Sequence, residues 1–101
     1  MNTRVTNLES EFVPLGVSRQ ELTVADTAVG LGALPAAASH AMLSVKSNPV
    51  HMAFSGSPTT AIGILLPVGT ILILPKAAIA KALFIRSTGS SGVVGCEPGN
   101  F

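Results

Sequence analysis

The chain reads as an all-β protein: a compact antiparallel β-sandwich, jelly-roll-like, with an extended N-terminal arm. Three observations predict this. Short apolar runs alternate with period two, most clearly where Leu43 and Val45 lie on one face and Ser44 and Lys46 on the other. Clusters of Gly, Pro, Ser and Asn break these runs about every ten residues, the spacing of strands in sandwiches and barrels. No segment sustains the 3.6-residue apolar period that a helical bundle requires.

Residues 1–19 read as the arm. Arg4, Glu9, Glu11 and Arg19 lie there among Asn, Thr and Ser; Pro14 disfavours a helix through Val13, and Gly16 fits a turn. Phe12, Val13, Leu15 and Val17 form an apolar patch in this polar setting and are the candidate interface. The segment is either a frayed terminus or an arm that docks on a neighbouring subunit through Phe12 and Leu15.

Residues 20–97 read as the sandwich domain. Leu22 and Val24, then Thr27, Val29 and Leu31, make short strand segments around Asp26, ended by Gly30, Gly32 and Pro35. Residues 36–41 are Ala-rich but too short to stand as a helix, so a loop or one turn is expected. Residues 42–47 form a strand, Asn48-Pro49 a turn, and Val50, Met52 and Phe54 a second strand, together a β-hairpin. Residues 55–60 are a loop. Residues 62–66 are a third strand and Pro67-Val68-Gly69 a turn. The unbroken apolar run at 70–74 implies burial on both faces, or one face on the core and the other on a partner. Pro75 ends it, and residues 76–81 read as a loop or single turn. Residues 82–86 form a strand with Leu83 and Ile85 on one side and Phe84 and Arg86 on the other. A flexible turn at 87–92, a last short strand at 93–97 and a tail at 98–101 complete the chain. The expected core contains Leu43, Val45, Val50, Met52, Phe54, Ile71, Ile73, Leu83 and Ile85.

Composition narrows the class. The chain is 48% hydrophobic and 11% charged, whereas a soluble monomer carries about 25% charged residues. Between Asp26 and Glu97 there is no acidic residue, and the only charges are Lys46, Lys76, Lys81 and Arg86. Apolar surface left exposed by so few charges marks a permanent protein contact, so the chain reads as a building block of an assembly. No membrane span is expected: residues 61–75 fall short of the roughly 20 clean apolar residues needed and contain Gly63, Pro67 and Gly69. The polar start lacks the apolar stretch of a signal peptide. A net charge of +1 gives no electrostatic case for nucleic acid. The single cysteine, Cys96, forms no internal disulfide and suits a reducing compartment; with no activating base beside it, it reads as a small buried residue.

No catalytic constellation can be assembled. His40 and His51 lack a third metal ligand at usable spacing, and His51, on the strand face opposite Met52 and Phe54, is expected to meet solvent or an interface. Asp26 is the only Asp, and no nucleophile-elbow motif supports a triad. Gly56-Ser57-Pro58 lacks the lysine and helix start of a phosphate loop. The amides of residues 88–92 could hold an anion weakly. The expectation is therefore a non-enzyme with no catalytic, cofactor-binding or metal site. Glu9, Glu11, Glu21 and Asp26 make residues 1–26 acidic, fit to meet the basic body of the same or the next subunit.

The run Leu22-Thr23-Val24-Ala25-Asp26-Thr27-Ala28-Val29-Gly30-Leu31, the loop from Gly56 through Pro58-Thr59 to Gly63, and Leu83-Phe84-Ile85-Arg86 before a Ser/Gly turn carry a resemblance. Over residues 21–96 the chain resembles small β-sandwich proteins encoded among the virion structural genes of tailed bacteriophages. That resemblance implies a capsid decoration (cement) protein, made in the host bacterial cytoplasm and placed on the capsid surface of the virion. It implies a major capsid protein or another virion protein as partner and no catalytic residues. Low charge beside high apolar content predicts a homo-oligomer, a dimer or trimer, and no cofactor, nucleic acid or membrane is expected. The alternative is a head-fibre, neck or tail-associated binding module that recognises a partner or host surface; the absence of aromatic residues from the loops weighs against sugar stacking there.

Overall fold

The computed structural model describes residues 11–59 and 62–101. Among them nine strands and one short helix follow in chain order: β1 (Val13–Pro14), β2 (Gln20–Val24), β3 (Val29–Gly30), β4 (His40–Lys46), β5 (Val50–Ala53), β6 (Ile64–Leu66), β7 (Ile71–Pro75), α1 (Lys76–Lys81), β8 (Leu83–Arg86) and β9 (Gly92–Asn100). One sheet has the order β2-β9-β4-β7, with β1 beside β2 along the far half of β9; the other has the order β3-β8-β5-β6. Both orders come from one antiparallel ribbon in which β2 pairs with β9, β3 with β8, β4 with β7 and β5 with β6. Wrapping that ribbon on itself adds the β4–β9 and β5–β8 pairings. The result is a jelly roll, the all-β sandwich expected from the alternating runs.

The core lies between the sheets. Ala41, Leu43 and Val45 of β4 meet Val24, Val94 and Cys96 on their own sheet and Val50, Met52, Leu66 and Phe84 from the other. Phe84, Val24, Val50 and Val94 are wholly buried. Each such aliphatic or aromatic side chain contributes about 1.5–3 kcal/mol by leaving water.

Several expectations are corrected. β4 and β5 do not form a hairpin. Both edges of β4 are taken, by β9 and β7, and Asn48-Pro49, preceded by Ser47 at φ 71°, carries the chain from one sheet to the other. An inter-sheet corner and a hairpin loop use the same turn residues, so local sequence does not separate them. Leu72 and Leu74 of β7 pack on the core, while Ile71 and Ile73 lie on the outer face and Ile71 is 46% exposed. Phe84 points inward, and Leu83 and Ile85 lie on the opposite face of β8, where Leu83 is half-buried and Ile85 is buried as expected at 7% exposure. Alternation defines two faces but not which one is buried. Phe54, just past β5, is half-buried and packs on the edge of the core.

Residues 76–81 form the helix α1, pinned by buried Ile79 and closed where the Ala82 N–H donates to Ala78 C=O at 3.0 Å. The expected tail at 98–101 is instead the end of β9, which runs through Pro98 to Asn100. Pro98 is tolerated because its C=O faces the arm, accepting from the Leu15 N–H at 2.9 Å. Its missing N–H falls on that same side, at the break between β2 and β1. The arm docks there: Phe12 is 7% exposed and lies over Gly99, where a Cβ would sit 2.5 Å from the Phe12 ring. Phe101 meets Phe12 edge-on at 5.9 Å and His40 at 4.8 Å.

Phe84→Ala should cost about 3–5 kcal/mol in urea unfolding, and Phe54→Ala clearly less, because only Phe84 is enclosed on all sides. Gly99→Ala should dislodge Phe12, seen as faster protease cleavage within the arm while the body stays folded.

Candidate protein interface

The two sheets have edges of different character. On one side β2 and β3 are short and polar-flanked, and the Gln20 side chain clasps Gly32, accepting from its N–H at 2.8 Å and donating to its C=O at 3.1 Å. On the other side β6 and β7, the remaining edge strands, are joined by the Pro67–Thr70 turn, in which the Thr70 N–H donates to Pro67 C=O at 3.1 Å. This flank is apolar. Ile62, Ile64, Leu65, Val68 and Ile71 are exposed by 68, 51, 54, 53 and 46%. No Asp, Glu, Lys or Arg occurs from Ser47 to Pro75; charge comes near only at the outer face of the first sheet, where Ile71 lines a hollow with Arg19, Glu21, Lys46 and Glu97.

The register shows which main-chain groups the flank leaves open. Val45 donates its N–H to Thr70 C=O at 3.0 Å, and the Lys76 N–H donates to Ser39 C=O at 2.9 Å. The odd-numbered residues of β4 therefore face β7, and their partners Leu72 and Leu74 face back. Ile71 and Ile73 turn their N–H and C=O outward. On β6, by the same alternation, Leu65 faces out, since the Ser87 N–H reaches Pro49 C=O at 3.1 Å and so directs the odd residues of β5 to β8. Charged residues, the usual guard of an open edge, are absent; Pro67 and Pro75 bracket it instead.

The expected interface residues divide. Phe12 is taken up within its own chain, Leu15 is half-buried, and Val13 and Val17 are exposed by 62 and 61%. Residues 1–10, including Arg4 and Glu9, lie outside the described residues. Glu21 does meet the basic body, of its own chain: Lys46 Nζ donates to Glu21 Oε2 at 2.9 Å and Oε1 at 3.1 Å. The pair lies flat across β9 at Gly95, whose missing Cβ would come 3.2 Å from Glu21 and 3.1 Å from Lys46. Half-exposed at both ends, it contributes about 0–1 kcal/mol and sets register more than stability.

The histidines are far apart in role. His40 sits on the outer face of the first sheet, its Nδ1 2.8 Å from Ser39 Oγ. His51, expected at solvent or an interface, is buried at 9% exposure with its Nδ1 unpartnered. Pro58 and Gly63 lie over it: the position of a Cβ on Gly63 is 3.2 Å from both His51 Cβ and buried Pro58 Cβ. Among the described residues no three of His, Cys, Asp and Glu gather where they could hold a metal. In the 87–92 turn the Ser90 N–H donates to Thr88 Oγ1 at 3.3 Å, so that amide is engaged locally. Cys96 is buried as expected, and burial, with Glu97 adding to it, pushes its thiol up to about 11.

Sequence reasoning placed Ile71 in the core and passed over Ile62, Ile64, Leu65 and Val68 as interface residues. The signal that could have found them is the charge-free run from Ser47 to Pro75, read as surface as well as core. No protein-family model matches the chain, and comparison with curated proteins and with solved structures gives no match.

Native Cys96 should label slowly with a thiol reagent at mildly alkaline pH and fast once unfolded. The folded thiol holds its proton more tightly than the unfolded one, so its contribution to stability is full below pH 9.0 and lost as pH climbs through about 11. Cys96→Ala should flatten that alkaline decline in urea unfolding.

Proposed function

We propose that this protein is a non-enzymatic virion component, a capsid decoration protein that stabilises a phage head by bridging major capsid subunits. The observation that carries this is the β6–β7 flank, built from a segment without Asp, Glu, Lys or Arg, whose exposed aliphatics mark a surface for a protein neighbour. The jelly roll is consistent with it, since viral capsid domains recur on this fold, though lectins and cupins share it. The sequence resemblance to virion proteins supplies the specific class. A decoration protein binds the assembled lattice and not its free subunits, so mass action favours the assembled shell. Repeated attachment multiplies individually weak contacts. Val13 and Val17, exposed on a docked arm, offer a second apolar contact at the opposite edge of the first sheet.

The test is co-sedimentation with empty heads of the phage that encodes the chain. The protein should bind heads and not free capsid subunits, and raise the temperature at which heads come apart. Apolar burial at ~25 cal/mol per Å² outweighs surface pairs of ~0–1 kcal/mol, so most of it should stay bound at about 0.5 M salt. Val13→Asp combined with Val17→Asp should weaken binding without unfolding the body. Full release at that salt, or equal binding to heads and free subunits, would count against a cement role.

A further inference from the structure

We infer that the open edge of β7 is a self-association site, at which a second copy of this chain pairs its own β7 antiparallel about a two-fold axis through Leu72. This rests on the reading of the β6–β7 flank as a protein interface and names its occupant.

A two-fold interface must be self-complementary. The edge sequence Ile71-Leu72-Ile73 reads the same in both directions. Antiparallel pairing about Leu72 sets Ile71 of one copy against Ile73 of the other, twice. Ile71 and Ile73 are also the residues whose N–H and C=O groups point away from β4. The two copies can therefore exchange four main-chain hydrogen bonds without breaking any within either subunit. Pro75 lacks an N–H, so pairing stops there, and two-fold symmetry stops it equally at the other end.

In this register no two like charges stand directly opposite each other, since no Asp, Glu, Lys or Arg occurs from Ser47 to Pro75 and Lys76 falls opposite Val68. Apolar contact joins the main-chain pairing: Ile71, 46% exposed on β7, and Val68, 53% exposed in the turn before it, lose contact with water where the second edge seats. In the pair, two four-stranded runs β2-β9-β4-β7 join into one continuous sheet, with Ile71 and Ile73 of both copies forming an aliphatic square on its outer face.

Sedimentation at low micromolar concentration should give twice the 10.2 kDa chain mass. In hydrogen exchange, the Ile71 and Ile73 amides should be protected although they lack partners within the chain. Ile73→Pro removes one outward N–H and leaves the β4 ladder intact, so it should halve the mass while the circular dichroism stays β-rich. Thr23→Pro, on the opposite edge strand β2, should leave the mass doubled. A wild-type monomer at high micromolar concentration, or fast exchange at both amides, overturns the inference even if the protein binds heads and even if the proline variant fails to fold. A dimer that survives Ile73→Pro places the two-fold elsewhere and overturns it as well. Failure to bind heads, with the dimer present, would count against the cement role alone.

Discussion

Strand β9 is the member on which the rest of the molecule depends. It is the longest strand, and it pairs with β4 over seven residues on one side and with β2 and then β1 on the other. The arm, the first Greek-key turn and the centre of the first sheet are thus held by one segment. Its composition suits that position. Val94 and Cys96 fill the core, while Gly95 and Gly99 leave room on the outer face for the Lys46–Glu21 pair and for Phe12. Pro98 omits a donor where the neighbouring strand changes from β2 to β1. Asn100 fastens the far end: its Oδ1 accepts from the Ser39 N–H at 2.9 Å and its Nδ2 donates to Ala37 C=O at 3.0 Å.

The same wrapping that centres β9 leaves β6 and β7 at the rim. In an antiparallel ribbon closed on itself, the strands beside the ribbon's bend end on one flank and those at its open end on the other. At the open end the chain places the arm, the Gln20–Gly32 clasp and Glu21 of β2. At the bend it places aliphatics and no charge. The two flanks therefore differ in chemistry for a topological reason. Burial at the bend would gain hydrophobic free energy over Ile62, Ile64, Leu65 and Val68, while at Ile71 it would also approach Arg19, Glu21, Lys46 and Glu97.

Among the described residues the space between the sheets is filled by apolar side chains, Val24, Leu43, Val50, Phe84 and Val94 foremost. The hollows near α1 are lined by Leu31, Leu34, Ile79 and alanines with a lysine at the rim. His51, the buried polar side chain of the second sheet among the described residues, lies beside Gly63 and not in the core cluster. Its unpartnered Nδ1 is a local cost of covering that face.

The sequence by itself determined the strands, the turns and the class. Alternation at 42–47 and 50–54 is backbone geometry written in side chains, and Gly, Pro, Ser and Asn mark turns through their own dihedral preferences, so neither depends on distant residues. The shortage of charge likewise announced an exposed apolar surface before its place was known. Tertiary structure alone decided which strands pair and which faces are buried. Asn48-Pro49 looks the same whether it closes a hairpin or turns a corner between sheets. Ile71 and Leu72 are equally apolar, yet one is outside because β7 is an edge and its inner face was claimed by its neighbour. Phe12 reads as a free anchor until β9 brings Gly99 beneath it. Each of these outcomes depends on residues tens of positions away, brought together by the wrapped ribbon, and no local pattern records that distance.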